Sequence, residues 1–156
     1  MPGGASIDYR VDDNGVFSAP LVVSYPYSRT VGPHIGRFLT ALRAGRIEGV
    51  RASDGRVLVP PPEFDPVTGD TLDDWIEVAA VGTIQTWAWV PEPLEGQPFD
   101  RPFAYALIRL DGADSGLLHA VDAARSDLHT GARVRARWAE ERVGAITDIA
   151  CFELVT

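Results

Sequence analysis

The chain has 156 residues, 46% of them hydrophobic and 23% charged, which suits one globular domain with a small appended element. Fourteen basic residues against 22 acidic ones leave a net charge of -8, which excludes a generically basic nucleic-acid binder but leaves room for a local patch. Every basic residue is an arginine, so a lysine Schiff base, a lysine general base and the phosphate-binding lysine of a P-loop are all excluded. The single cysteine, Cys151, permits neither an intrachain disulfide nor a Cys-x-x-Cys metal site. His34, His119 and His129 are too scattered for an all-histidine metal site. Residues 1–10 lack the apolar core of a signal peptide and no apolar run reaches membrane-spanning length, so a cytoplasmic location without membrane insertion is expected.

Residues 1–30 read as an extended N-terminal lead, polar and glycine-rich over 1–15 and extended and aromatic over 17–27. Residues 31–46 carry the strongest helix signal. Ile35, Phe38, Leu39 and Leu42 recur at i, i+3, i+4 and i+7, which is one helical face. Thr30 is placed to cap the start, Pro33 fits the first turn, and Gly45 fits the position just past the end. The apolar face either packs on its own domain or docks on a partner. No second helix of comparable strength exists to form a bundle, and docking is the reading adopted. Over 47–72 the pattern changes. Residues 47–51 and 56–59 read as short strands around a turn at Ser53-Asp54-Gly55, Pro60-Pro61-Pro62 ends the second strand, and 65–69 reads as another tight turn.

From residue 73 onward the sequence reads as all-β. Residues 75–90 suggest one long strand bent near Gly82. Over 103–110, Phe103, Tyr105, Leu107 and Arg109 alternate with Ala104, Ala106, Ile108 and Leu110. A turn-rich stretch follows, then a strand over 117–121 and a short helix over 122–128. In the strand over 133–138, Val134, Ala136 and Trp138 face inward and Arg133, Arg135 and Arg137 outward. A last strand covers 145–155. Five strands with a short helix between the third and fourth outline an OB-fold barrel. The expected fold is therefore mainly β: a five-stranded OB-fold barrel over 73–156, preceded by a helix and a ribbon-like segment.

The pieces that carry a wider likeness are Gly45-Arg46-Ile47, the spacing of 51–55, 56–61 and 65–69, Val81-Gly82-Thr83-Ile84, the run 102–112, and Gly131-Ala132-Arg133-Val134. In that order, over about residues 30–154, they resemble the acyl-CoA-associated OB-fold family (domain of unknown function 35 type), whose members carry a helix, a rubredoxin-like zinc ribbon and an OB-fold. Where such relatives place four zinc-binding cysteines, this chain has Arg51, Asp54, Asp65 and Thr68. Zinc needs thiolates or imidazoles. A degenerate, metal-free ribbon is thus expected, with Arg51 pairing with Asp54 or Asp65 in place of part of the metal crosslink. The strand-end motif also differs, reading Leu110-Asp111-Gly112 where many relatives read Leu-Asp-Glu-Gly.

The resemblance implies a non-catalytic accessory subunit without a cofactor of its own. Such a subunit binds a thiolase-like, lipid-transfer-type enzyme, an aldolase or acyltransferase, in processes that include steroid side-chain degradation. It helps form the acyl-CoA channel, acyl-CoA being the substrate of the partner. A two-plus-two heterotetramer follows by analogy, and an acyl-CoA hydratase is the runner-up partner. The helix face Ile35, Phe38, Leu39 and Leu42 would dock to the enzyme.

Trp87 and Trp89 share a strand face, as barrel packing or as an exposed partner-binding pair. Arginine suits the phosphates of CoA through bidentate, permanently charged donors. Arg101 and Arg109 are therefore candidate CoA or substrate contacts, with Tyr105 and His119, although a histidine on such a strand is more often a satisfied structural one. The row Arg133, Arg135 and Arg137 is either a solvated sheet face or a ligand patch. A triad from Ser115 or Ser126 with His119 and Asp122 lacks a nucleophile elbow, and Cys151 reads as a buried small hydrophobe. The competing class is a single-stranded nucleic-acid-binding OB-fold module, with Trp87, Trp89 and the arginine row as platform and groove. The net charge of -8 counts against it.

Overall fold

A computed structural model describes residues 9–19 and 30–155. In the first stretch β1 (Arg10–Val11) and β2 (Phe17–Ser18) pair antiparallel, and Asp12 closes the turn between them by accepting the amides of Asn14 and Val16. The segment expected as a plain polar lead therefore contains a hairpin, whose exposed Tyr9 and Phe17 rings lie 5.7 Å apart. Most of the extended aromatic segment read at 17–27 falls outside the described residues.

Helix α1 (Gly32–Arg43) forms where the periodicity placed it. Its N-cap is Val31, with no side-chain cap, so Thr30 does not close the start. Pro33 sits in the first turn. Gly45, at φ 74°, takes the left-handed position past the end and donates its amide to Leu42 at 2.8 Å. Phe38 and Leu42 are 2% and 0% exposed, inside this chain's own core. The docking role read for these two residues is thereby corrected. An apolar helical face does not need a second helix; here a small sheet and one end of a barrel cover it. Ile35 and Leu39 remain half-buried at the edge.

The small sheet consists of β3 (Ile47–Arg51), flanked antiparallel by β4 (Val57–Leu58) and β5 (Trp75–Val78). Its buried Glu48 ties the helix down by accepting from Arg37 at 2.8 Å and Arg46 at 2.9 Å. His34, also buried, hydrogen-bonds the Leu72 carbonyl and stacks on Trp75, over which the Arg37 guanidinium lies at 4.2 Å. The single strand expected over 75–90 is two strands. The chain breaks at Ala79-Ala80, so that β5 stays with the ribbon and β6 (Val81–Val90) enters the barrel.

The barrel closes in the order β6, β7 (Phe103–Leu110), β8 (Leu117–Asp122), β10 (Ile149–Leu154) and β9 (Arg133–Trp138), back to β6. The β8–β10 pair is parallel and the other pairs antiparallel, giving the five-stranded OB-fold expected. A 3-10 turn at Arg125–Asp127 stands in for the short helix. Another at Ile146–Asp148 delays the last strand to Ile149. A bulge between Ile84 and Thr86 resets the alternation of β6, so that Ile84 and Trp87 both pack toward the core. Gly82 is a point of close approach: a Cβ there would lie 2.5 Å from the Arg109 carbonyl oxygen. Gly82→Ala is expected to cost about 1–3 kcal/mol through overpacking, read as a lower urea midpoint. An unchanged midpoint would show that the strands can separate freely.

One apolar core runs through both parts, from Phe38, Leu42, Ile47 and Val59 to Ile84, Ile108, Val121 and Phe152. The ribbon is sewn to the barrel by Ser115, whose hydroxyl accepts the Val59 amide at 2.6 Å and donates to its carbonyl at 2.9 Å. Cys151 is fully buried in β10, and burial pushes its thiol pKa up. Among the described residues no helix is long and apolar enough to cross a membrane.

Candidate functional site

The two ribbon turns meet around Asp65, which is 3% exposed. One carboxylate oxygen accepts the Ser53 amide of the first turn at 2.6 Å; the other accepts Val67 at 2.7 Å and Thr68 at 3.1 Å in its own turn. These three backbone donors hold the carboxyl at about 2, against an ordinary 3.8. The expected pairing of Arg51 is corrected. Arg51 goes to Asp74 at 3.1 Å and to the Gly55 carbonyl at 3.2 Å, while Asp54 pairs with Arg56 at 2.7 Å. Amides already pointing into the gap satisfy a buried carboxylate without desolvating a guanidinium. The four ligand-equivalent residues do not suit zinc: Arg51 is a cation, Asp54 is held by an arginine, both Asp65 oxygens are taken, and Thr68 supplies its amide to Asp65. Among the described residues no group of three or more histidine, cysteine or acidic side chains is placed to share a metal ion.

The outward arginine row is a ladder of ion pairs. Arg133 forks onto Asp111, with one bond of 2.7 Å, Arg135 meets Glu153 at 2.8 Å, and Arg137 meets Asp122 at 3.0 Å. Asp122 also takes Arg101 at 2.7 Å, whose guanidinium lies 5.0 Å from the Phe99 ring centre. Acids on neighbouring strands thus neutralise the row, and no open phosphate patch remains on it. Arg109 is exposed and makes no ion pair among the described residues; it lines the crevice between ribbon and barrel with Arg51, Asp111 and Asp114. Arg109 lies near the end of β7, while Arg101 precedes its start, so the two arginines sit toward opposite ends of the strand. They line no common cavity among those described.

Trp87 and Trp89 pair across the ladder with Ala106 and Ala104, and both indoles pack half-buried against the core. Facing alanines make room for them. The structure places both in barrel packing, with each indole still partly exposed. Ser115 is committed to Val59 and Asp122 to two arginines, so the structure does not join them with His119.

Tyr105 and His119, by contrast, are brought together. They line one cavity of about 550 Å³ on the barrel flank. The His119 Nδ1 accepts the Ala120 amide at 3.0 Å, and the ring meets Phe152 edge-on at 5.5 Å. Burial lowers its pKa, against backbone hydrogen bonds with Ile146 and Ala120, so the imidazole is neutral.

Two organising carboxylates were not singled out from the sequence. Glu48 was signalled by its Arg46-x-Glu48 spacing, which puts both side chains on one strand face. Buried Asp148 accepts the amides of Val143 at 2.9 Å, Gly144 at 2.8 Å and Ala145 at 3.3 Å, and so pins a loop against α1. An isolated aspartate in a loop carries no comparable signal.

The family model described as the C-terminal OB-fold domain of ChsH2 matches residues 75–139. Among solved structures, a protein of unknown function from the DUF35 family of Sulfolobus solfataricus aligns over 80% of this chain and 83% of its own, with TM-score 0.58 and 20% identity. A chain of the Ltp2-ChsH2(DUF35) aldolase aligns over 81% of this chain and 98% of its own, with TM-score 0.61 and 19% identity. No curated protein matches the chain significantly. The resemblance to the DUF35-type OB-fold family drawn from the sequence is met by these matches, and the structural likeness is one of fold.

Proposed function

We propose that this chain is a non-catalytic accessory subunit of an acyl-CoA-processing enzyme, binding a thiolase-like aldolase or acyltransferase and helping to shape its acyl-CoA channel. The observation that carries this reading is the match of residues 75–139 to the ChsH2 C-terminal OB-fold domain. The fold likeness to nearly the whole of one chain of the Ltp2-ChsH2(DUF35) aldolase supports it. The nucleic-acid alternative is disfavoured by the arrangement of the barrel: its tryptophans are half-buried against the core and its arginine row is paired with acids.

With Phe38 and Leu42 buried, the docking strip shifts to the outer edge of α1. Exposed Val31 is followed at one-turn intervals by half-buried Ile35 and Leu39, and exposed Val143 continues the strip from the loop pinned by Asp148. Apolar residues at an accessible helix edge are what a partner's apolar surface would cover. Leu39→Asp is expected to weaken binding to a thiolase-like enzyme by about 10-fold or more, since it leaves a charge desolvated in the interface. Leu39 also packs against the core, so the thermal midpoint should fall, and binding is compared at a temperature where both proteins are folded. Equal affinity of variant and wild type, measured by titration calorimetry, would remove this strip from the interface.

A further inference from the structure

We infer that the cavity lined by Tyr105 and His119 binds an uncharged, largely apolar small molecule that carries a carbonyl or hydroxyl oxygen. The inference stands whether or not the chain assembles with an enzyme. The cavity measures about 550 Å³, within the range of small-molecule sites. Its walls come from β7, β8, the 3-10 turn at Ile146–Asp148, the start of β10 and the loop 96–98.

The chemistry of the walls selects the ligand. No charged side chain lines the cavity, on a barrel whose neighbouring faces are crowded with arginine–acid pairs. A charged ligand would lose its hydration there without meeting a counter-charge. Leu118, 65% exposed, and Ile146, 42% exposed, present apolar surface at the mouth.

The polar groups are few and available. The hydroxyls of Tyr105 and Thr147 make no hydrogen bond with any described residue. Gln97 spends its amide oxygen on the Leu94 amide at 3.0 Å, which leaves its NH2 group free to donate. His119 is already engaged with backbone and contributes wall, not charge. Two or three neutral donors around an apolar cavity suit a ligand oxygen that accepts hydrogen bonds.

The test titrates the full chain with prodan, a neutral naphthyl ketone, and with 2-anilinonaphthalene-6-sulfonate, an anion of similar ring size. Prodan emission should shift to the blue and saturate, while the anion binds at least tenfold more weakly. Ala150→Trp, a substitution at an exposed position of β10 that fills the cavity, and Leu118→Asp, which puts a charge at its mouth, should each weaken prodan binding at least tenfold. Both positions are exposed, and unchanged thermal midpoints would verify the fold. Tyr105→Phe should weaken binding severalfold. The inference is overturned if prodan does not saturate, if the sulfonate binds as well, or if both cavity variants bind prodan like the wild type.

Discussion

Phe38→Ala is expected to lower the unfolding free energy by about 3–5 kcal/mol, the range for truncating a buried aromatic side chain. Phe38 lies 2% exposed where helix, ribbon and barrel meet, so the vacated space is walled by three elements that cannot all collapse into it. Phe38→Asp is expected to leave no folded protein, because an unpaired carboxylate would have to be buried in that core. Urea denaturation followed by tryptophan fluorescence measures the first and yield of folded protein the second. A loss below about 1 kcal/mol for Phe38→Ala would contradict the packing of α1 on its own chain and return its face to a partner.

Asp65→Asn carries the second large effect. The substitution removes the charge around which the two ribbon turns close and leaves at least one of the three amide donors poorly satisfied. The thermal midpoint at neutral pH should fall by about 5–10 °C. The pH dependence identifies the cause. The folded carboxyl titrates at about 2 and the free one at 3.8, so its stabilising contribution is complete above about pH 4 and is lost as the pH falls through 2. The gap between wild type and Asp65→Asn should therefore be widest at neutral pH and narrow steadily on acidification below pH 4. A gap that is absent at neutral pH, or that widens in acid, would show that the ribbon is held by something else.

The parts of the fold written in local periodicity were readable in advance: the i, i+3, i+4, i+7 helix, the alternation of β7 and β9, and the turn glycines. What was misread depended on the partner of each element. The 75–90 run is mostly apolar, and nothing in its local pattern shows that the first four residues pair with Ile47–Val50 while the rest join the barrel. Trp87 and Trp89 look like a platform until Ala104 and Ala106 are found opposite them. The same holds for the site. The arginines were visible, but the acids that neutralise them lie 15 to 22 residues away, as with Arg137–Asp122 and Arg133–Asp111. Asp65 stood at a ligand-equivalent position, so its place was legible. Its partners are backbone amides, which no side-chain pattern records. The Tyr105–His119 cavity depends on the loop 96–98 and on a 3-10 turn that interrupts the expected last strand, neither of which the strand pattern records.

The central claim, an accessory subunit, is tested most directly by mixing the purified chain with a candidate thiolase-like enzyme and measuring the native mass of the mixture together with acyl-CoA turnover. The account predicts one species containing both chains, with turnover higher than that of the enzyme alone. Two separate species with unchanged turnover would contradict it.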